Sequence, residues 1–150
     1  MKFYLLIIIF ALFVFVGIYI YCRYYFRNKL FKDMGYVIRY LKNSIAFRKD
    51  KINILLSEAY NGIAQSSRNL LKNIKNSNSV IYRKEDIFNI QKFLDSIGKG
   101  DVDYELNNLS YYENVFDEIK CSSKELLEKN GVMYIKLMIG LGAAICVMLI

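Results

Sequence analysis

Two segments, one at each end of the chain, carry apolar residues on every face of a helix. Residues 3–22 contain no charged side chain, and about 20 helical residues at 1.5 Å each span the roughly 30 Å hydrocarbon core of a bilayer. Residues 131–150 contain a single charge, Lys136, and a lysine near the end of such a helix can snorkel to the membrane interface. The pattern predicts one membrane-spanning helix over residues 1–22 and another over residues 131–150.

Each apolar segment has a second interpretation. The first could be a secretory signal peptide, but its apolar stretch is long, and bulky Tyr21 and Tyr24 stand where a signal peptidase needs small residues. Tyr21 also precedes Cys22 at the position where a lipoprotein signal has Gly or Ala. The second could be a core helix, but a helix that is apolar on all sides needs lipid or a core larger than this chain can build. Two membrane anchors are therefore the favoured interpretation.

The region between the anchors, residues 23–130, has the periodicity of amphipathic helices. Apolar residues recur three and four positions apart across residues 52–74, which predicts one helix, and a polar break follows at residues 76–79. A shorter helix then ends at Gly98, a residue suited to a left-handed C-cap, and Asp101 is the expected N-cap of the last helix. The seam of the resulting bundle is assigned to Leu56, Ile63, Phe93, Ile97, Leu106, Leu109, Phe116 and Ile119.

These elements predict an all-α fold in which two transmembrane helices flank an antiparallel helical bundle. The chain has no Pro and only 8 Gly, which favours long helices, and the first anchor helix is expected to continue through residues 30–45. Cations crowd residues 23–32, at the inner end of the first apolar segment. The positive-inside rule therefore places the middle of the chain in the cytoplasm and both termini on the other side of the membrane.

The formal net charge of +7 implies an anionic neighbour: nucleic acid, an acidic protein or an anionic membrane leaflet. Bases dominate residues 23–84 and acids outnumber bases over residues 85–136, so antiparallel packing of the two halves would pair them. The cluster Arg48, Lys49 and Lys51, at an expected helix junction, is a candidate site for an acidic partner, with a solvated turn as its alternative.

Patterns of catalytic chemistry are missing from the sequence. It has no His, its three Cys are not in C-x-x-C spacing, and it contains no G-x-S-x-G, G-x-x-x-x-G-K-[ST] or G-x-G-x-x-G pattern. Asp101, Asp103 and Glu105 could be read as calcium ligands, but helix capping and the helix dipole explain them. We therefore expect no enzyme activity, no metal and no cofactor, and we take Asp101 and Glu105 as acidic candidates for partner binding.

The second apolar segment carries small residues at a spacing that permits close helix packing. Gly140 and Ala144 lie four positions apart, with Gly142 between them. Small residues at this spacing let two membrane helices approach closely. They are the candidates for helix packing in the membrane.

Three motifs occur in an order that resembles the stage III sporulation protein AB family of endospore-forming bacteria. Residues 44–52, S-I-A-F-R-K-D-K-I, align with E-I-x-Y-G-x-x-P-L and keep the Ile and the aromatic residue. Residues 93–105 align with F-G-x-x-L-G-x-x-D-x-x-x-Q and keep the Phe, the second Gly and the Asp, with Glu105 in place of Gln. Residues 137–142 align with L-G-x-x-x-G and keep the Leu and the last Gly.

The resemblance implies a role in a multi-protein channel in the mother-cell membrane that surrounds the forespore. It also implies kinship with the helical cytoplasmic domain of inner-membrane platform proteins in type II secretion and type IV pilus machines, which face a hexameric ATPase. The expected function is thus a non-enzymatic platform that positions or couples a secretion-type ATPase, with other channel components as partners and self-association left open. A membrane-tethered nucleic-acid binder and a small two-span pore-former are the alternatives.

Overall fold

The computed structural model describes residues 2–47, 52–74 and 82–149, and no strand occurs among them. This confirms the all-α prediction. The helices are α1 (Lys2–Phe47), α2 (Ile52–Asn61), α3 (Gln65–Lys72), α4 (Lys84–Ser96), α5 (Val102–Leu126) and α6 (Val132–Leu149), with a π-helical turn, Leu127–Gly131, joining α5 to α6. The basic candidates Arg48, Lys49 and Lys51 and the expected polar break at residues 76–79 lie outside the described residues.

Two helical stretches are long and apolar enough to cross a membrane, Tyr4–Ala46 and Val102–Leu149. Only 6% of the most apolar window of each is buried inside the protein. The core helix of a soluble protein would be mostly buried, so this exposure is the pattern of a surface that faces lipid.

The α5–α6 junction keeps its helical course through the π turn. Leu126 and Val132, which flank the turn, both have right-handed helical dihedral angles, and the Val132 N–H donates to the carbonyl of Leu127, five residues earlier. A π turn adds one residue to the helix without breaking it. The last helix of the middle region therefore continues into the second apolar segment.

The chain divides into two compact units. The anchor unit comprises Met1–Asn28 and Ser122–Ile150, and the middle unit comprises Lys29–Cys121. Both unit boundaries fall inside helices, because α1 and α5 each contribute residues to both units.

In the anchor unit, the first part of α1 packs antiparallel to α6 and to the π turn. A Cβ built on Gly17 would lie 3.2 Å from Cβ of Met138, and one built on Gly131 would lie 3.3 Å from the Tyr21 ring. Leu6, nearer the start of the chain, has its carbonyl 3.6 Å from the Cys146 sulfur. Residues later in α1 contact residues earlier in α6 and the π turn, which is the order expected of an antiparallel helical hairpin.

The core of the middle unit is built around the second part of α1. The side chains of this stretch that are fully buried are Leu30, Phe31, Met34, Val37, Ile38 and Leu41. Phe31 lies 5.7 Å from Phe116 of α5, and Phe93 of α4 lies 5.5 Å from Phe116, measured between ring centroids. Three helices thus meet at one aromatic cluster. The sequence predicts the continuation of α1 but does not identify it as the central helix of the bundle.

The single helix predicted over residues 52–74 is wrong, because the chain breaks between α2 and α3. The Gly62 N–H donates to the carbonyl of Ala59, three residues earlier, and Ala64 is extended. The Tyr36 ring covers Gly62, so a Cβ there would overlap it. Arg68 closes the break, since its Nη2 donates to the carbonyl of Asn61 at 3.0 Å. The interruption preserves the apolar spacing, which is why the periodicity does not reveal it.

The assigned seam residues divide by burial. Fully or nearly fully buried are Ile63, Phe93, Leu109 and Phe116. Half-buried are Leu56, Ile97, Leu106 and Ile119. In α2 the deepest side chains are Leu55 and Ala59, so the buried face of this helix is centred on Leu55 and not on Leu56.

Candidate functional site

The loop between α4 and α5 turns at a single glycine. α4 ends at Ser96, and the next residue, Ile97, is extended, with φ −76° and ψ 141°. Gly98 follows with φ +82°, the only positive φ among the described residues. A Cβ disfavours this region of backbone space, so glycine is the residue that the turn requires. The predicted C-cap function of Gly98 agrees with this conformation.

Asp101 is the N-cap of α5, as predicted. Its Oδ1 accepts a hydrogen bond from the Tyr104 N–H at 2.9 Å, and its carbonyl accepts the Glu105 N–H at 2.9 Å. A capping carboxylate satisfies a helix N–H that has no partner within the helix and interacts favourably with the helix dipole. The rest of the Asp101 side chain is exposed, so it remains accessible to a partner.

Glu105 differs from its assignment as a surface contact, because its side chain is only 2% exposed. Its Oε1 accepts three backbone hydrogen bonds, from the N–H groups of Gly98 at 2.8 Å, Lys99 at 2.9 Å and Gly100 at 3.2 Å. Three successive amides around one carboxylate oxygen form an anion nest. Glu105 therefore organises the loop from within and offers no direct surface to a partner.

Two further contacts join the helices on either side of the loop. Asn108 Nδ2 donates to the Ser96 hydroxyl at 3.0 Å, which ties the end of α4 to the second turn of α5. The Phe93 and Tyr112 rings meet edge to face, 5.0 Å apart between centroids. The α4–α5 loop is thus a preorganised surface, with Lys99 and Gly100 exposed at its tip.

One ion pair of the middle unit joins its basic and acidic parts. Lys42 of α1 pairs with Glu113 of α5 at 2.8 Å. Within the basic part, the Tyr40 hydroxyl donates to Glu58 of α2 at 2.7 Å. The Lys42–Glu113 pair across the antiparallel helices α1 and α5 agrees with the pairing that the charge distribution predicts.

Two tyrosines of the middle unit titrate above the ordinary range. Burial raises the pKa of Tyr60 from 10.0 to about 12, because the phenolate loses hydration. The pKa of Tyr82 is raised by burial first and by the negative charge of Asp33 second. No group of three or more His, Cys, Asp or Glu residues in the described ranges could hold a metal ion.

The high pKa of Tyr60 predicts a loss of stability in alkali. The unfolded chain releases this proton near pH 10.0 and the folded chain near pH 12, so stability that is complete below pH 10.0 is lost as the pH rises toward about 12. Denaturant unfolding of the full chain in detergent should show this fall, and Tyr60→Phe should make it shallower. An equal fall in the variant would contradict a contribution from Tyr60.

The three small residues of α6 face different surroundings. A Cβ on Gly142 would lie 3.1 Å from the Phe10 ring and 3.2 Å from Cβ of Phe13. Gly140 has no neighbouring atom within 4 Å of the corresponding position, and Ala144 is exposed. Within the described chain, only Gly142 of the three provides the close helix approach, so the hairpin uses a different face of α6 from that carrying Gly140 and Ala144.

Gly142→Leu should therefore separate the two apolar helices, whereas Gly140→Leu should not. The added side chain must displace Phe10 and Phe13, and overpacking of this kind costs about 1–3 kcal/mol. The matched Gly140 variant places the same side chain in open space.

Disulfide crosslinking can measure the separation. Leu6 lies beside Cys146, so Leu6→Cys should crosslink to Cys146 when Cys22 and Cys121 are replaced by Ser. We expect the yield in vesicles to fall with Gly142→Leu and to persist with Gly140→Leu. Equal yields in the two variants would contradict the packing of α6 on this face.

The chain matches no protein-family model, no curated protein and no solved structure. The features that bear on function are its two apolar helices and the α4–α5 loop.

Proposed function

We propose that this protein is a two-span membrane protein whose middle unit is a docking platform for other proteins. The platform belongs to the channel complex that a sporulating mother cell builds in the membrane around the forespore. It positions or couples a secretion-type ATPase on the cytoplasmic side and performs no chemistry of its own.

The α4–α5 loop is the single observation that carries this proposal. The residues that resemble the sporulation family motif, Phe93, Gly98, Asp101 and Glu105, are joined in one local structure. Phe93 anchors the loop in the aromatic cluster, Gly98 turns it, Asp101 begins α5 and Glu105 binds its amides. A Gln at the position of Glu105 would retain an oxygen that accepts these bonds. The motif thus has a physical reason to recur as a set, which supports the family resemblance.

The placement of the two anchors supports the membrane topology. Both apolar stretches expose large side chains such as Leu5, Phe15 and Val147, which lipid would cover. Cations at residues 23–32 follow the first stretch, and Lys136 lies near the inner end of the second. The positive-inside rule then orients the middle unit toward the cytoplasm, where an ATPase has access to it.

The proposal is tested by purifying the tagged full chain, solubilised in detergent, from sporulating cells and identifying its companions by mass spectrometry. We expect other channel components and a secretion-type ATPase. Charge reversal of Arg48, Lys49 and Lys51 together should weaken recovery of the ATPase while the protein remains in the membrane. Charge reversal of Lys92, an exposed cation of α4, serves as a single-site control and should leave recovery intact.

Other results would contradict the proposal. Recovery of nucleic acid with salt-sensitive binding would favour the tethered nucleic-acid binder. Dye leakage from vesicles that contain the protein alone would favour the pore-former. Equal abundance in growing and sporulating cells, with no companion proteins, would exclude the sporulation channel.

A further inference from the structure

A shallow hollow lies on the face of the anchor unit where α5 passes into α6. It has a volume of about 460 Å³ and is lined by Glu128, Lys129, Val132, Met133, Lys136 and Leu137. This face differs from the hairpin face, which includes Gly131 and Gly142. The hollow therefore opens outward from the hairpin.

The hollow combines two cations with an apolar floor. Lys129 and Lys136 are exposed, and neither forms an ion pair with an acid of the described chain. The acid of the hollow, Glu128, already faces Lys124, at 3.8 Å. The net charge offered to a ligand is positive, and the surface beneath it is formed by Val132, Met133 and Leu137.

Lys129 and Lys136 line the same hollow, and seven helical residues separate them by about 10 Å along the helix axis. Lysine also places its charge at the interface while its methylene groups cover apolar surface. The flexible stems of the two lysines therefore allow both ammonium groups to reach one anion held between them above the apolar floor.

We infer that this hollow binds an anionic phospholipid of the cytoplasmic leaflet, with the phosphate between Lys129 and Lys136 and an acyl chain along Val132 and Leu137. A soluble phosphate would use the lysines but not the apolar floor, so the composition of the hollow favours a lipid. The inference rests on the two-span topology proposed above. It adds a binding site that neither partner docking nor membrane insertion requires.

The test uses the full chain purified in neutral detergent and titrated with phosphatidylglycerol or phosphatidylcholine, with bound lipid counted by native mass spectrometry. Phosphatidylglycerol should bind more tightly, and replacing both lysines with Gln should weaken its binding by roughly tenfold to thirtyfold, since each cation near an anionic surface contributes about 1 kcal/mol. The control Lys92→Gln, at an exposed position of the middle unit, should leave binding unchanged.

Lys124→Gln is a second variant, which acts through Glu128 and leaves the two lining lysines unchanged. It removes the cation that faces Glu128, so the unpaired carboxylate should reduce phosphatidylglycerol binding. Circular dichroism confirms that each variant retains its helicity.

Three results would overturn the lipid site. One is equal binding of phosphatidylglycerol by the wild type and the double variant, and another is equal affinity for phosphatidylcholine. The third is displacement of the lipid by millimolar inorganic phosphate, which would assign the lysines to a soluble anion. Failure of the proposed topology has a separate signature, because the protein would then be extracted from cell membranes by alkaline carbonate without detergent.

Discussion

Phe116→Asp should abolish the cooperative unfolding transition of the middle unit. The Phe116 side chain is fully buried against Phe31 and Phe93. Removing a buried aromatic ring costs about 3–5 kcal/mol, and placing a carboxylate there without a partner adds several kcal/mol more. Together these terms are comparable with the roughly 5–15 kcal/mol that stabilises a typical domain. Thermal melting of the full chain in detergent, followed by circular dichroism, measures the effect.

Asn114→Asp is the matched control for this variant. Asn114 is exposed on α5, two residues before Phe116, and the substitution introduces the same charge into the same helix. We expect its melting curve to resemble that of the wild type. A retained, unchanged transition in Phe116→Asp would show that the aromatic cluster is not the core of the middle unit.

Glu105→Ala should destabilise the middle unit by about 3 kcal/mol. The variant removes the carboxylate oxygen that accepts the amides of Gly98, Lys99 and Gly100, and a hydrogen bond to a charged group contributes about 1.5–3 kcal/mol. The loop tip is exposed, so the released amides regain water and the loss is smaller than the sum of three bonds. Denaturant unfolding monitored by circular dichroism gives the difference.

Glu105→Gln separates loss of the acceptor from loss of the charge. Its side-chain carbonyl can accept the same amides, so we expect it to recover more than half of the stability lost in the Ala variant. A Gln variant as unstable as the Ala variant would indicate that the charge, and not the acceptor, holds the loop.

The helical class and the two long apolar helices were accessible from the sequence because their signals are local. A stretch of about 20 apolar residues, a glycine before a capping Asp101 and apolar residues at helical spacing each depend on near neighbours along the chain. The break at Gly62 was not accessible, because it depends on Tyr36, a distant residue whose ring covers the glycine. Asn61, Gly62 and the extended Ala64 leave the apolar spacing on either side unchanged.

The central position of α1 in the bundle could have been recognised. Leu30, Phe31, Met34, Val37, Ile38 and Leu41 are spaced so that they share one helix face, and all six are fully buried. The charges between them, such as Lys32 and Arg39, give this stretch the appearance of a solvated extension of the anchor. The apolar residues of this stretch share one helix face, which indicates a buried helix. The interspersed charges make the stretch polar on average and so conceal that face.

The function of Glu105 was beyond sequence reasoning for a different reason. An acid in the first turn of α5 is expected to face solvent and interact with the helix dipole. The conformation of Gly98 folds the loop back so that three amides converge on this carboxylate. Only the three-dimensional course of the loop distinguishes an internal acceptor from a surface charge. The same limit applies to Gly140 and Gly142, since spacing shows that small residues are present but not which one faces the partner helix.

The division of the chain into units constrains the order in which the protein can be completed during synthesis. The middle unit is continuous, from Lys29 to Cys121, whereas the anchor unit needs residues from both ends of the sequence. In the proposed two-span topology, the first apolar helix therefore enters the membrane before its partner helix α6 has been synthesised. In that interval Gly17 lacks its contact with Met138. The hairpin can therefore form only after the whole middle unit has been synthesised.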